Sequence, residues 1–180
     1  GDAAKAALVA AANPGAVAVP AAGAAQGADL VVLATAYGDA VAALKTAQIQ
    51  PAQVVVDITN PLTADYMGLT VGHTSSAAEE IARAVPNAVV VKGFNTLFAQ
   101  VLAAGADFGG GRTLSVFLAS DSAEAKQQAT SLARSMGFDV VDAGGLKNAR
   151  YLEPLAGLNI YFGYGAGQGT AIAPAWLHKD

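Results

Sequence analysis

The chain of 180 residues has no cysteine, only two histidines, and few charges, since Asp, Glu, Lys and Arg together make up 13% of it. The absence of cysteine excludes disulfides, thiolate nucleophiles and cysteine-ligated zinc. His73 and His178 lie far apart in the sequence and cannot by themselves build a histidine-rich metal site. We therefore expect no bound metal.

Long apolar runs and clusters of basic residues are also missing. The ten Lys and Arg residues are scattered singly against 14 Asp and Glu residues, which gives a formal net charge of −4. No basic stripe is available to neutralise a phosphate backbone, and no apolar run reaches the about 20 residues of a membrane span. The first residues lack the layout of a signal peptide. We expect a cytoplasmic protein that binds neither nucleic acid nor membrane.

Hydrophobic residues are abundant, at 53% of the chain. Short runs rich in Val, Ile and Leu alternate with longer alanine-rich stretches, and this rhythm predicts an α/β fold with a doubly wound, mostly parallel sheet. The predicted strands are residues 16–20, 29–35, 53–59, 87–93, 114–119 and 138–142. The predicted helices between them are residues 5–12, 40–47, 76–84, 96–103 and 122–136.

The last part of the chain predicts a C-terminal helical extension, so we divide the sequence into residues 1–145 and 146–180. Apolar residues recur there at helical spacing: Leu152, Leu155, Leu158 and Phe162. Such a helix either docks on the sheet or forms a homodimer. Pro154 either kinks it or begins a second helix. Arg150 and Glu153, three residues apart, are interpreted as a surface or interface pair.

Polar residues follow three of the predicted strands at their carboxyl ends, where ligands bind in doubly wound sheets. The segments are Thr35-Ala36-Tyr37-Gly38, Asn60-Pro61-Leu62 and Phe94-Asn95-Thr96. Amide and hydroxyl groups can bind a carboxamide or a ribose without the desolvation cost of a charge. The same residue types also favour turns and helix caps, so both interpretations remain open. Asp57, inside a predicted strand, is interpreted as a structural carboxylate that needs hydrogen-bond donors.

A glycine-rich phosphate loop is not found, because no G-x-G-x-x-G follows a strand and opens a helix. The nearest sequence, residues 163–169, follows a predicted helix and is interpreted as a turn. The residues alone therefore leave the cofactor undecided.

Four segments, residues 57–62, 68–79, 91–96 and 146–155, together resemble the deazaflavin (coenzyme F-420)-dependent NADP reductase family of dinucleotide-binding oxidoreductases. The resemblance extends over most of residues 29–160. It implies a Rossmann-like fold, NADP as cofactor, and hydride transfer between nicotinamide and a small redox acceptor, either a flavin or a deazaflavin. Such a transfer needs alignment more than a protein acid or base, so no catalytic residue is implied.

On matched positions, the resemblance implies two sets of site residues. The cofactor-binding set is Thr35, Ala36, Tyr37, Thr59, Asn60, Pro61, Phe94 and Asn95. The set near the second substrate is His73, Thr74 and Ser75. His73 could equally be an ordinary loop residue.

Family members begin with a strand, a glycine-rich turn, a helix and a second strand that carries the residues for the 2′-phosphate of NADP. The resemblance thus implies that a β-α-β unit of roughly 30 residues is missing before residue 1 or that this protein departs from the family. The choice between NADP and NAD then stays open. The alternatives to an enzyme are a sensor that binds a dinucleotide without catalysis and a fragment with an incomplete cofactor site.

Overall fold

The computed structural model describes residues 2–177 and 179, so His178 lies outside the described residues. The helices are α1 (Ala3–Ala12), α2 (Ala40–Ala47), α3 (Ala77–Ala84), α4 (Ala99–Ala104), α5 (Ala123–Ser135) and α6 (Ala149–Ile160). The strands are β1 (Leu30–Leu33), β2 (Gln53–Asp57), β3 (Ala88–Lys92), β4 (Ser115–Leu118) and β5 (Asp139–Asp142). Short 3₁₀ turns at Tyr37–Asp39 and Leu146–Asn148 precede α2 and α6, and a π turn at Tyr161–Gly165 follows α6. Five of the predicted strands and all of the predicted helices are present; α2 has the predicted bounds, and the ends of the others are shifted.

The strands form two parallel groups that meet at an antiparallel bridge. The strands β1, β2 and β3 pair in parallel in that order, and β4 pairs in parallel with β5. The bridge joins Lys92 to Ala119: the Lys92 N–H donates to the Ala119 carbonyl at 2.8 Å, and the return bond is 3.0 Å. The prediction of a mostly parallel sheet is therefore confirmed.

Helices cover both faces of the sheet. In β2 the side chains alternate, so that Val54 and Val56 belong to a core cluster that includes α5, whereas Val55 belongs to a second cluster with Leu44 of α2 and Ile81 of α3. All five residues of β2 are buried. This arrangement explains the continuous valine run and confirms the doubly wound fold.

The C-terminal helix packs against the sheet core. Leu152 and Ala156 of α6 are almost fully buried, and Leu152 clusters with Phe117 and Ala119. The helix begins at Ala149 and continues through Pro154. The alternative in which Pro154 begins a second helix is therefore wrong.

Residues 16–20 do not form the predicted strand. The segment is exposed and pairs with no strand in the described part of the chain. An extended segment becomes a stable strand only when a neighbour satisfies its backbone groups and covers its side chains. Short apolar residues alone were therefore an insufficient signal.

Over residues 2–177 and 179, none of the helices combines the length and the apolarity needed to cross a lipid bilayer.

Candidate functional site

A cleft of about 540 Å³ lies beyond the carboxyl ends of β1 and β2, and we call it the strand-end cleft. Five of the predicted cofactor-binding residues line it: Thr35, Ala36, Tyr37, Thr59 and Asn60. The remaining lining residues are Gly38, Ile58, Leu62, Thr63, Ala64, Tyr66 and Thr70. None of these described lining residues is Asp, Glu, Lys, Arg or His, so their side chains offer hydroxyl, amide and apolar groups.

The side chains of Asn60 and Asn95 bond to each other at the edge of this cleft. Asn60 Nδ2 donates to the Asn95 carbonyl at 2.9 Å, and Asn95 Nδ2 donates to Asn60 Oδ1 at 2.9 Å. Asn95 Nδ2 also donates to the Leu152 carbonyl of α6 at 3.1 Å. Asn95 is only 6% exposed. It therefore lies behind Asn60 and supports it, while Asn60 faces the cleft.

Two buried polar atoms at this edge have no hydrogen-bond partner among the described residues: Thr59 Oγ1 and Asn95 Oδ1. Buried polar groups in folded proteins almost always have partners, which protein, water or ligand can supply. Thr59 also lines the strand-end cleft. Its free hydroxyl fits a site that hydrogen-bonds a polar ligand group.

The remaining three predicted cofactor-binding residues, Asn95, Pro61 and Phe94, are not among the described residues that line the cleft. Pro61 is fully buried, and its carbonyl accepts from the Thr70 N–H at 2.7 Å. Phe94 packs edge to face on Phe138 in the core, with ring centroids 6.3 Å apart. Its φ of +60° is in the left-handed region, which costs a non-glycine residue ~1–3 kcal/mol. Core packing of the ring holds this conformation next to Asn95.

Tyr37 lines both the strand-end cleft and a neighbouring hollow of about 640 Å³ that Glu80 and Arg83 also line. Its phenol donates to Glu80 Oε2 at 2.5 Å. Burial, together with this hydrogen bond to a carboxylate, raises the pKa of Tyr37 to about 12. The phenol therefore stays protonated at neutral pH and acts as a donor.

The residues predicted near the second substrate lie in a different place. His73 lines a pocket of about 440 Å³ together with Lys147, Asn148, Arg150, Tyr151 and Pro154 from the start of α6. Thr74 is exposed, and the buried Ser75 Oγ has no partner among the described residues. The structure thus brings His73 together with two cations, and among the described residues the lining of this pocket shares no member with that of the strand-end cleft.

A buried ion network, which the sequence did not predict, lies behind the cleft. Lys92 Nζ is 2.9 Å from Asp57 Oδ2 and 3.0 Å from Glu153 Oε1. The Lys92 and Asp57 side chains are 0% exposed, and that of Glu153 is 1% exposed. Asp57 also accepts the Thr59 N–H at 2.9 Å. The interpretation of Asp57 as a carboxylate with structural donors agrees with these contacts.

Glu153 ties α6 to the start of α3. Its two carboxylate oxygens accept the N–H groups of Ala77 at 2.8 Å and Ala78 at 3.1 Å. Burial raises the pKa of Glu153, while Lys92 and the two N–H groups act in the opposite direction. Arg150 pairs instead with Glu79, through bonds of 2.8 and 2.6 Å. The prediction that Arg150 and Glu153 form one surface pair is therefore wrong, because the helix turns Glu153 into the core.

Sequence reasoning also missed the loop that closes one side of the cleft. Leu62 and Leu69 form an antiparallel bridge. Within the turn, Thr63 Oγ1 accepts the Gly68 N–H at 2.9 Å, and Asp65 Oδ1 accepts the Met67 N–H at 3.1 Å. Thr, Asp and Gly at these spacings are typical of side-chain-stabilised turns and were the available signal.

Within residues 2–177 and 179, no group of three or more His, Asp or Glu side chains is placed to hold a metal ion.

A doubly wound, mostly parallel sheet with a cleft beyond its strand ends defines a Rossmann-like dinucleotide-binding fold. The family model described as "NADP oxidoreductase coenzyme F420-dependent" matches residues 2–61. A crystal structure described as an F420-dependent NADP reductase, from Arthrobacter sp. FB24, is 36% identical with a TM-score of 0.71, and the match covers 82% of this chain and 68% of that one. The chain belongs to the family of coenzyme F420-dependent NADP oxidoreductases.

Other relatives share parts of the chain. A hypothetical protein from Sinorhizobium meliloti is 34% identical with a TM-score of 0.61, over 67% of this chain and 58% of that one. Metalloreductase STEAP3 of Rattus norvegicus is 35% identical over 103 residues, which are 57% of this chain and 20% of the relative. Metalloreductase STEAP2 of Mus musculus is 30% identical over the same length. The chain thus spans about a fifth of the length of these curated relatives.

Proposed function

We propose that the protein is an NADP(H)-dependent oxidoreductase that transfers a hydride between nicotinamide and a flavin-like or deazaflavin acceptor. The observation that carries this proposal is the strand-end cleft, which lies where such folds bind ligands and whose described lining residues carry no charged side chain. A bound nicotinamide would supply the chemistry, since its C4 releases a hydride with both electrons to the acceptor. The chain needs only to bind, orient and exclude water.

The polar groups of the cleft fit the nicotinamide end of such a ligand. Asn60 faces the cleft with an amide that Asn95 fixes in place, and the Thr59 hydroxyl is free to bond. A carboxamide has both donors and acceptors, which an Asn and a Thr together can match. Thr35, Ala36 and Tyr37 would line the ribose and pyrophosphate side.

The pocket around His73 is the proposed acceptor side. His73, Thr74 and Ser75 follow shortly after Thr70, which lines the strand-end cleft. The wall of the pocket around His73 includes Tyr151, which is 73% exposed and available to pack on a ring. The names of the relatives support an oxidoreductase, and the flavin-like or deazaflavin acceptor is our proposal.

We further propose a homodimer through the C-terminal helix. Large apolar and aromatic side chains are exposed at the end of α6 and in the turn that follows it: Leu158, Tyr161, Phe162 and Tyr164. A cluster of this kind is typical of a protein interface. Light scattering should give a dimer mass, and a monomer at all concentrations would contradict the proposal.

The proposed site is tested by titrating the protein with NADPH and NADH while following nicotinamide fluorescence. We expect saturable binding, and loss of absorbance at 340 nm when a flavin or deazaflavin is added. Asn60→Ala should weaken NADPH binding by ~1–3 kcal/mol, the cost of leaving a polar partner unmatched. Asn87→Ala is the control, because Asn87 is exposed at the opposite end of β3. Equal affinity in both variants would refute the assignment of Asn60.

The same titration separates the alternatives. A sensor would bind NADPH without oxidising it in the presence of any acceptor, and an incomplete site would not bind it. His73→Ala should change the KM for the acceptor and leave NADPH affinity unaltered. A loss confined to NADPH affinity would mean that the two pockets are assigned in reverse.

A further inference from the structure

The network of Asp57, Lys92 and Glu153 joins three separate elements, because these residues come from β2, β3 and α6. Lys92 Nζ contacts one oxygen of each carboxylate, at 2.9 and 3.0 Å. All three side chains are shielded from solvent almost completely. Such a group costs free energy to desolvate, and apolar residues of similar size are often as stable. Stability alone therefore does not account for its presence.

The network holds the backbone of Thr59 from both sides. The Thr59 N–H donates to Asp57 Oδ1 at 2.9 Å, and the Thr59 carbonyl accepts from Lys92 Nζ at 2.5 Å. These two bonds fix the peptide groups before and after Thr59. The second of those peptide groups is the one that leads into Asn60. The orientation of both cleft residues thus depends on the position of the Lys92 ammonium group.

Glu153 sets the position of that ammonium group from the side of α6. Its carboxylate is itself anchored by the Ala77 and Ala78 N–H groups at the start of α3, where the helix dipole favours a negative charge. The preceding residue, Leu152, accepts the Asn95 side-chain bond at 3.1 Å. One turn of α6 therefore reaches both parts of the cleft edge: Thr59 through Lys92, and Asn60 through Asn95.

We propose that Glu153 is a positioning residue for the candidate site: through Lys92 it fixes the Thr59–Asn60 segment in the orientation that receives the nicotinamide end of the ligand. The C-terminal helix is then a part of the site although Glu153 does not line the strand-end cleft. This inference rests on the proposed function for its ligand, and its structural part can be tested without any ligand.

The test compares Glu153→Gln with Glu79→Gln in the full chain. Both variants replace a carboxylate by an amide of the same shape, and each removes one ion pair with α6. Glu153→Gln removes the pair with Lys92 of β3, and Glu79→Gln removes the pair between α3 and Arg150. The Glu79 carboxylate bonds to Arg150 and Ser76, and within residues 2–177 and 179 it forms no hydrogen bond or ion pair with Lys92 or with a residue that lines the cleft. The first readout is the pair of side-chain amide signals of Asn60 and Asn95 in ¹H–¹⁵N NMR spectra. The second is the dissociation constant for NADPH from nicotinamide fluorescence.

We expect Glu153→Gln to shift the Asn60 and Asn95 side-chain signals and to weaken NADPH binding by about tenfold, as when hydrogen bonds behind a binding site are lost. In Glu79→Gln, both readouts should stay at their wild-type values. If Glu153→Gln does not fold, Glu153→Asp replaces it, because it keeps the charge and withdraws it by one methylene. The same signals should then shift.

Unchanged amide signals in a folded Glu153 variant would overturn the inference, and so would equal shifts in Glu79→Gln. Shifted signals with unchanged NADPH affinity would also overturn it, since Glu153 would then have a structural role only. If the wild type does not bind NADPH at all, the proposed function fails. The NMR comparison then still decides whether Glu153 orients Asn60 and Asn95.

Discussion

In α1 and α6, the first and the last helices of the chain, hydrophobic composition does not correspond to burial. Every residue of α1 except Lys5 is Ala, Leu or Val, and none of its residues is buried. In α6, Arg, Glu, Asn and Pro interrupt the apolar residues, and yet Leu152, Glu153 and Ala156 are buried. The more hydrophobic helix is the exposed one.

This difference shows that a helix is fixed by the pattern of its side chains and by specific partners rather than by its apolar content. In α1 the apolar residues surround the axis, so that no single face is distinguished and Leu8 is 71% exposed. In α6 one face carries Leu152 and Ala156 into the core, and Glu153 binds Lys92 and the start of α3. The predictions below test this contrast.

The largest effect is expected when the cation of the buried network is removed. Lys92→Met leaves Asp57 and Glu153 buried without a counter-charge and should lower the free energy of unfolding by ~3–5 kcal/mol. Lys5→Met in α1, an exposed position, should change it by less than ~0.5 kcal/mol. Urea denaturation followed by circular dichroism measures both. Similar losses of unfolding free energy in the two variants would show that the buried network does not distinguish the stability of the core around α6 from that of α1.

A matched pair of leucines tests the packing of the two helices. Leu152→Ala removes a side chain that is 4% exposed and should cost ~2–5 kcal/mol through lost burial and the cavity that remains. Leu8→Ala removes an exposed side chain and replaces it by a better helix former, so its effect should lie within ~0.5 kcal/mol. A large loss of unfolding free energy for Leu8→Ala would mean that α1 packs in solution against another surface and that Leu8 is buried there.

A smaller effect is expected from the pair of Glu79 and Arg150, which links α3 to α6 near the surface. The Arg150 guanidinium holds the pKa of Glu79 below its ordinary value. A depressed folded-state pKa means that the pair stabilises the protein above the unfolded pKa of about 4.3 and that this contribution is lost as pH falls through the folded pKa.

The difference in unfolding free energy between wild type and Glu79→Gln should therefore stay nearly constant from pH 7 down to about 5 and shrink only as pH falls below the unfolded pKa of about 4.3. Glu153, whose pKa is raised, is present in both proteins and cancels from this difference. A difference that is constant with pH would contradict the assignment of the pair.

Sequence patterns predicted the elements better than the contacts between them. The valine runs of β2 and β3 and the polar residues after them predicted two strands with polar ends, and the structure pairs these strands so that Asn60 and Asn95 meet. The strand at residues 16–20 was wrong because pairing depends on a neighbour that no local pattern reports. The salt bridge between Lys92 and Glu153 joins residues far apart in the sequence, so helical spacing placed Glu153 beside Arg150 instead. The roles of the predicted site residues remain predictions.

The smallest expected change in the free energy of unfolding comes from removing the N-terminal cap of a helix, and α1 and α3 should differ in it. Asp2 Oδ1 accepts the N–H groups of Ala4 and Lys5 at the start of α1, at 3.0 and 3.2 Å, and Ser76 Oγ accepts the Glu79 N–H at the start of α3, at 3.2 Å. Ser76→Ala should lower the free energy of unfolding by ~1 kcal/mol, because α3 is packed in the core and unfolds with it.

Asp2→Ala should change the same quantity by less than ~0.3 kcal/mol, because a ten-residue helix that buries nothing unfolds separately from the core. Its effect should appear instead as faster amide hydrogen exchange confined to α1, with the exchange rates of α6 unchanged. Equal losses of global stability for Asp2→Ala and Ser76→Ala would show that α1 and the core form one cooperative unit, and the contrast between the first and last helices would then concern exposure alone.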